Sequence, residues 1–161
     1  MSTNDLFFNA LEKEFEHLRQ KSIVLVGGCF DILHFGHISF LKRAKKTGDF
    51  LVVALENDAF IRSQKEREPF HTVQERAAIL KEIRTVDSVV SLPQLSGYED
   101  YFRLVKAICP RIIAVTENDP YLSQKRKQAR SIHAQVKIVI ARDPQHATTS
   151  ILKRLREEKQ T

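Results

Sequence analysis

The chain has no tryptophan, a single methionine and only two cysteines, Cys29 and Cys109. Two distant cysteines build neither a disulfide framework nor a Cys-x-x-Cys metal site. Glycine and proline are sparse, at five each, which excludes fibrous and low-complexity chains. No apolar run approaches the roughly 20 residues of a membrane helix. The N-terminus lacks the basic-then-apolar order of a secretory signal, so the expected compartment is cytoplasmic. Acid is in the minority: 26 Lys and Arg oppose 20 Asp and Glu, a net charge of +6 at pH 7. That balance favours anionic partners such as nucleic acid, nucleoside triphosphates or phosphorylated metabolites. What is there is 161 residues, 42% hydrophobic and 29% charged, the composition of one globular domain with one core.

The most informative stretch runs from Val24 to His37. Ile23 to Val26 is a short apolar run that reads as a buried parallel strand. Gly27 and Gly28 end it and let backbone come close to a ligand. His34 and His37 follow, with Gly36 between them. From Ile38 the pattern is helical: Ile38, Leu41 and Ala44 share a face, and Gly48 is the expected stop. Strand, tight loop and helix start therefore follow in order. The unpaired N–H groups and partial positive charge of a helix start suit a phosphate. Taken alone, two imidazoles in such a loop are usually ordinary surface residues; they also suit half of a metal site, although no third ligand stands close in sequence.

The string Gly28-Cys29-Phe30-Asp31-Ile32-Leu33-His34-Phe35-Gly36-His37 resembles the G-x-F-D-x-x-H-x-G-H signature of the cytidylyltransferase-like nucleotidyltransferases. That family includes glycerol-3-phosphate and ethanolamine-phosphate cytidylyltransferases, archaeal FAD synthetase and the adenylyltransferase domain of ADP-heptose synthase. The resemblance covers residues 22–157. It implies a Rossmann-like fold in which a small phosphorylated acceptor attacks the α-phosphorus of CTP or ATP and pyrophosphate leaves. Gly28, Cys29, Phe30, Asp31, His34, Gly36 and His37 would line the nucleotide, with His34 and His37 donating to phosphate oxygens as charge builds. Asp31 has a second reading, as the residue that orders the loop. Mg²⁺ would accompany the triphosphate and be bound through its phosphates, with no protein metal site expected.

Ahead of the signature, Phe7, Leu11, Phe15 and Leu18 give residues 4–21 a helical stripe. The expected division is therefore an N-terminal helical extension, 1–21, and a nucleotidyltransferase domain, 22–157. The extension would pack on that domain or on a second subunit of a homodimer. Phe50 to Leu55 reads as a second strand. Residues 61–71 are charge-rich and read as a solvated loop, in which the resemblance implies Lys65 and Arg67 as cations for the acceptor's anionic group. Thr72-Val73-Gln74-Glu75 is a capping box, so a helix starts at Val73 with Val73, Ala77, Leu80 and Ile83 inward. Arg84, in the group Arg84-Thr85-Val86-Asp87, is implied to face the nucleotide. On its own terms it would neutralise the carbonyl end of that helix.

Val86 to Ser91 reads as the third strand and Pro93 to Gly97 as a loop. Residues 98–108 read as a helix with Tyr101, Leu104, Val105 and Ile108 on one face. Arg111 to Val115 is the fourth strand. The family follows it with glycine and acid. Here Thr116-Glu117-Asn118-Asp119-Pro120 keeps only the acid, and Asp119 is the candidate contact. Lys125, Arg126, Lys127 and Arg130 make a basic helix without the interleaved aromatics of a single-strand binder. Val136 to Ala141 is the fifth strand. After it, Arg142, Thr148 and Thr149 are implied holders of the triphosphate, although Ala147 replaces a usual serine. Five strands alternating with helices predict a doubly wound, five-stranded parallel α/β sheet. Its ligands bind outside the carboxyl ends of the strands, where all these candidates are expected. Two other functions stand beside the enzyme. One is a catalytically inactive nucleotide-binding regulator, motivated by Ala147 and Thr116. The other is an RNA-binding module, motivated by the charge but disfavoured because the lysine-serine loop of class I aminoacyl-tRNA synthetases is missing. No membrane partner is expected.

Overall fold

The computed structural model describes residues 2–141 together with Ser150, Leu152 and Lys153. Among the described residues five strands alternate with six helices. The strands are β1 Ile23–Gly28, β2 Phe50–Leu55, β3 Ser88–Ser91, β4 Ile112–Thr116 and β5 Gln135–Ile140. The helices are α1 Thr3–Glu16, α2 Phe35–Lys45, α3 Asp58–Lys65, α4 Val73–Lys81, α5 Gly97–Ile108 and α6 Leu122–Ser131. All neighbouring strands pair in parallel, in the order β3-β2-β1-β4-β5. The chain leaves β1 for β2 and β3, then returns to lay β4 on the other side of β1. This reversal opens a crevice at the carboxyl ends of β1 and β4, where an α/β sheet binds its ligands.

Continuous apolar strands are needed because both faces of the sheet are covered. Ile23, Leu25, Val52, Ala54, Ile113 and Val115 face one layer, which contains α1 and α5. Val24, Val26, Leu51, Val53, Leu55, Ile112 and Ala114 face the other, which contains α2 and α4. Helix α1 is built into the first layer through Phe8, Leu11 and Phe15, with Leu18 just beyond its end. Phe8 takes the inward place expected for Phe7, which is only partly buried. A capping box between Ser2 and Asp5 starts α1, and Asp5 also binds Arg103 of α5 at 2.6 Å. Gly48 is dictated by close approach: a Cβ there would stand 2.4 Å from the Ser22 carbonyl oxygen. No helix among the described residues is long and apolar enough to cross a membrane.

The element boundaries differ from expectation in instructive places. Residues 61–71 are not all loop, because α3 runs to Lys65. Asn57 caps it through the Phe60 N–H, and Ile61 anchors it at zero exposure. Helix α2 begins at Phe35, a turn ahead of the apolar periodicity, so His37 lies inside the helix. β3 starts at Ser88 rather than Val86, because the Asp87 carboxylate bonds the Leu51 N–H and Lys45 Nζ. β5 spans Gln135–Ile140, one residue earlier than read.

Candidate active site

The site begins where β1 ends. Gly28 leaves room for Phe30, whose ring a Cβ at that position would meet at 2.9 Å. Phe30 itself takes a left-handed φ of 45°, a costly conformation for an aromatic residue and one that clusters at functional loops. Its ring is 5% exposed and packs on His37 at 5.1 Å between centroids. Phe30 therefore supports His37 from behind rather than presenting a face to a ligand. His34 is the N-cap of α2, with extended backbone and no side-chain cap bond. Its ring stacks on that of His37 at 3.8 Å and 25°. The spacing of three residues from N-cap to first turn puts both imidazoles beside the N–H groups of Phe35 and Gly36. Burial first, and the adjacent His34 second, pull the His37 imidazole down to about 4, with the Ile32 carbonyl opposing. At neutral pH His37 is thus an uncharged ring whose single N–H is turned to the Ile32 carbonyl, and its Nδ1 is buried without a partner among the described residues.

Asp31 is 4% exposed and is spent on the chain. It accepts from Arg67 Nη1 at 2.5 Å, from the Phe70 N–H at 2.9 Å and from the His71 N–H at 3.1 Å. Burial alone would raise its carboxyl, but Arg67 and these two amides outweigh it and hold the group low. Asp31 therefore orders the segment between α3 and α4, and Arg67 is its partner. Arg67 Nη1 also donates to the Glu68 carbonyl, so this guanidinium is engaged in the empty protein. Lys65, the last residue of α3, is exposed and joins no ion pair among the described residues. Its ammonium nonetheless stands close enough to Cys29 to act on the thiol. Burial, reinforced by Glu56, pushes that thiol up, which argues against a nucleophilic role.

Arg84 falls elsewhere. It is exposed on the turn between α4 and β3, at the sheet edge where Asp87 meets the start of β2. A crossover helix in a parallel sheet returns the chain to the amino ends, so a residue between α4 and β3 cannot line the carboxyl crevice. The expectation that Arg84 faces the nucleotide is corrected accordingly. Asp119 does follow β4 on the crevice side, but its carboxylate is occupied. Oδ1 accepts the Tyr121 N–H at 2.8 Å and Oδ2 binds Lys125 Nζ at 2.7 Å. Arg142, Thr148 and Thr149 lie outside the described residues.

One buried cation joins the parts. Arg76 of α4 has zero exposure. Its Nη1 donates to the Cys29 carbonyl at 2.5 Å and the Glu56 carbonyl at 2.8 Å. Nε donates to the His71 carbonyl at 3.1 Å, and Nη2 binds Asp58 at 2.7 Å. The loop after β1, the end of β2, the start of α3 and the entry to α4 thus share one guanidinium. Its sequence signal was a charge on an apolar face: Arg76 is three residues after Val73 and four before Leu80. Glu56 is the other unread residue. It is 9% exposed and its Oε1 accepts from Tyr101 Oη at 2.9 Å. No group of three or more His, Cys, Asp or Glu among the described residues could hold a metal ion.

A helix start with two imidazoles beside it can bind an anion and stabilise charge growing on a phosphate. The family model described as cytidylyltransferase-like matches residues 25–159. The FAD synthase of Thermococcus kodakarensis is 44% identical over 119 residues, covering 73% of this chain and 77% of that protein. The bifunctional protein HldE of Pelobacter propionicus is 36% identical over 146 residues, covering 89% of this chain and 29% of that protein. Among solved structures, a lipopolysaccharide core biosynthesis protein from Thermoplasma volcanium superposes with a TM-score of 0.62 at 30% identity, covering 76% of this chain and 98% of its own. The pantoate-beta-alanine ligase of Francisella tularensis has a TM-score of 0.66 at 18% identity over 91% of this chain and 70% of its own, which is a likeness of fold.

Proposed function

This chain belongs to the cytidylyltransferase-like family and is a nucleotidyltransferase, and from that premise we propose that it transfers AMP from ATP to the phosphate of FMN. The observation that carries the reading is the stacked pair His34 and His37 at the start of α2, at the switch point of the sheet. ATP as donor and FMN as acceptor are supported by similarity to archaeal FAD synthases. Phe70, 57% exposed on the segment held by Asp31, offers an aromatic surface to a flat ring.

In the step itself an acceptor phosphate oxygen attacks the α-phosphorus of MgATP. A new P–O bond forms, the bond from the α-phosphorus to the α–β bridging oxygen breaks, and magnesium pyrophosphate leaves. No general base is required, because a phosphomonoester is largely dianionic at neutral pH. The protein brings two anions together and offsets the growing charge. His37 and His34 donate to α-phosphate oxygens, the α2 amides add their partial charge, and Lys65 offsets repulsion from the acceptor. The approach of the triphosphate raises the His37 imidazole from its low resting value. Asp31 and Arg67 hold the surrounding loop. Mg²⁺ arrives as part of the substrate, ligated by phosphate oxygens.

The test is product analysis. Protein, Mg²⁺, ATP and FMN should yield FAD and pyrophosphate in equal amounts, and CTP should not replace ATP. The lipopolysaccharide-associated neighbour favours a sugar phosphate as second acceptor, so a sugar 1-phosphate belongs in the same screen. Pyrophosphate release with the sugar and not with FMN would overturn the flavin reading. ATP binding without any release would overturn the enzyme.

A further inference from the structure

We propose that Glu56 is the residue that recognises the acceptor, taking a hydrogen bond on its carboxylate from a hydroxyl of the acceptor phosphomonoester. This rests on the nucleotidyltransferase reading above and adds a specificity determinant to it. Glu56 follows β2 directly, and its N–H donates to the Gly28 carbonyl at 3.1 Å. The residue thus abuts the loop that carries the histidines. It shares a strand face with Val52 and Ala54, which turns it toward α5, where Tyr101 Oη holds Oε1. The second oxygen, Oε2, has no hydrogen-bond partner among the described residues and is not sealed from solvent. Glu56 is nine-tenths buried, with one oxygen held by Tyr101 and the other open to accept; burial pushes its carboxyl up, while the Tyr101 hydrogen bond, Lys125 and Arg76 favour its charge.

Its chemistry limits what it receives. Both substrates are polyanions, and a carboxylate beside a phosphate is repulsive. The attacking phosphate needs no base. What an open carboxylate oxygen can do there is accept from an uncharged donor, and a polyhydroxylated phosphomonoester supplies hydroxyls. Geometry assigns the hydroxyl to the acceptor rather than to the nucleotide. Attacking and leaving oxygens lie in line across the transferring phosphorus, so acceptor and pyrophosphate occupy opposite flanks. In the sheet order β2 lies on one side of β1 and β4 and β5 on the other, and Lys65 and Glu56, which both follow β2, stand together on the β2 flank, where the cation for the acceptor's phosphate is proposed.

The experiment uses the full chain with FMN, a sugar 1-phosphate and a deoxygenated phosphomonoester of similar length. KM for each acceptor and for ATP is measured in wild type, Glu56→Gln, Glu56→Ala and Tyr101→Phe, and acceptor binding is measured by calorimetry without ATP. Glu56→Ala should raise acceptor KM about 10- to 100-fold, the range for one charge-assisted hydrogen bond, and leave KM for ATP within twofold. It should lose the preference for the hydroxylated over the deoxygenated acceptor. Glu56→Gln keeps an acceptor oxygen and the Tyr101 bond, and should fall between. Tyr101→Phe should lower the melting temperature with a smaller change in acceptor KM. Equal losses for both acceptors, or a rise confined to KM for ATP, overturn the inference. If wild type turns over no acceptor, the proposed function fails by itself. The role of Glu56 is then decided by calorimetry, where no hydroxylated phosphomonoester binding wild type more tightly than Glu56→Ala overturns it too.

Discussion

Replacing Arg76 by methionine should cost the protein much of its stability, and the structure indicates how much. The side chain has zero exposure and makes four hydrogen bonds, three to the carbonyls of Cys29, Glu56 and His71 and one to the Asp58 carboxylate. Methionine fills similar volume, so the loss is one of pairing and not of packing. Each carbonyl left dry costs about 1–3 kcal/mol, but Asp58 is 22% exposed and water relieves part of its loss. Breaking a buried ion pair on one side costs about 3–5 kcal/mol, and that range is the expectation here. For a domain of this size it corresponds to a drop of roughly 6–20 °C in melting temperature. Arg76→Lys keeps the charge but lacks the planar fork that spans four acceptors, and should recover less than half of the loss. The assay is thermal denaturation followed by circular dichroism, with ATP titrated into each variant below its transition. ATP binding should weaken together with stability, because the Cys29 carbonyl and the entry to α4 both frame the crevice. A melting temperature within 2 °C of wild type for Arg76→Met would refute the view that this guanidinium holds the site together.

Other outcomes follow from the same geometry. His34→Ala or His37→Ala should each lower turnover by about two to three decades while ATP binding changes much less, since each removes one preorganised donor. Stopped assays with saturating ATP would check this, and turnover within threefold of wild type would remove the histidines from the chemistry. The His37 imidazole lies at about 4 in the folded protein against an ordinary 6.5, so the unfolded chain takes up a proton that the folded one resists. Stability should therefore fall as pH falls from 6.5 toward 4, by about 1–3 kcal/mol for this ring. Melting curves of wild type and His37→Gln across that window should converge at low pH, and parallel curves would contradict the assignment. Lys65→Ala should raise acceptor KM and leave stability unchanged. Arg67→Ala should instead destabilise by about 1–3 kcal/mol, because it strips the buried Asp31 of its charged partner. Steady-state kinetics beside thermal melts separate these two cations.

Much of this molecule is written in local pattern. The apolar runs at 23–26, 50–55 and 112–115 read as buried strands, and they are. The capping box at Thr72 fixes the start of α4. The histidine signature points to the chemistry by its resemblance to a family, and its strand, tight loop and helix start place the two imidazoles at the N-terminus of α2. These are short-range facts, set by neighbours within a turn or a strand. What tertiary structure decided are partnerships across the sequence. Asp31 is legible as acid but not as the acceptor for residues 36 to 40 positions away. Arg67 stands two residues from Lys65 in sequence, yet the fold commits it to Asp31 and leaves the lysine exposed at the end of α3. The motif points Arg84 at the nucleotide, and only the direction of the parallel strands shows that it sits at the amino edge. Arg76 carried a signal, a charge on an apolar helix face, but its four acceptors belong to segments that meet only once β1, β2 and α4 have packed. Glu56 carried none, since its meaning depends on Tyr101, 45 residues away on α5. Periodicity encodes which face of an element is buried. It does not encode which other element will cover that face, and the partners of buried charges are chosen there.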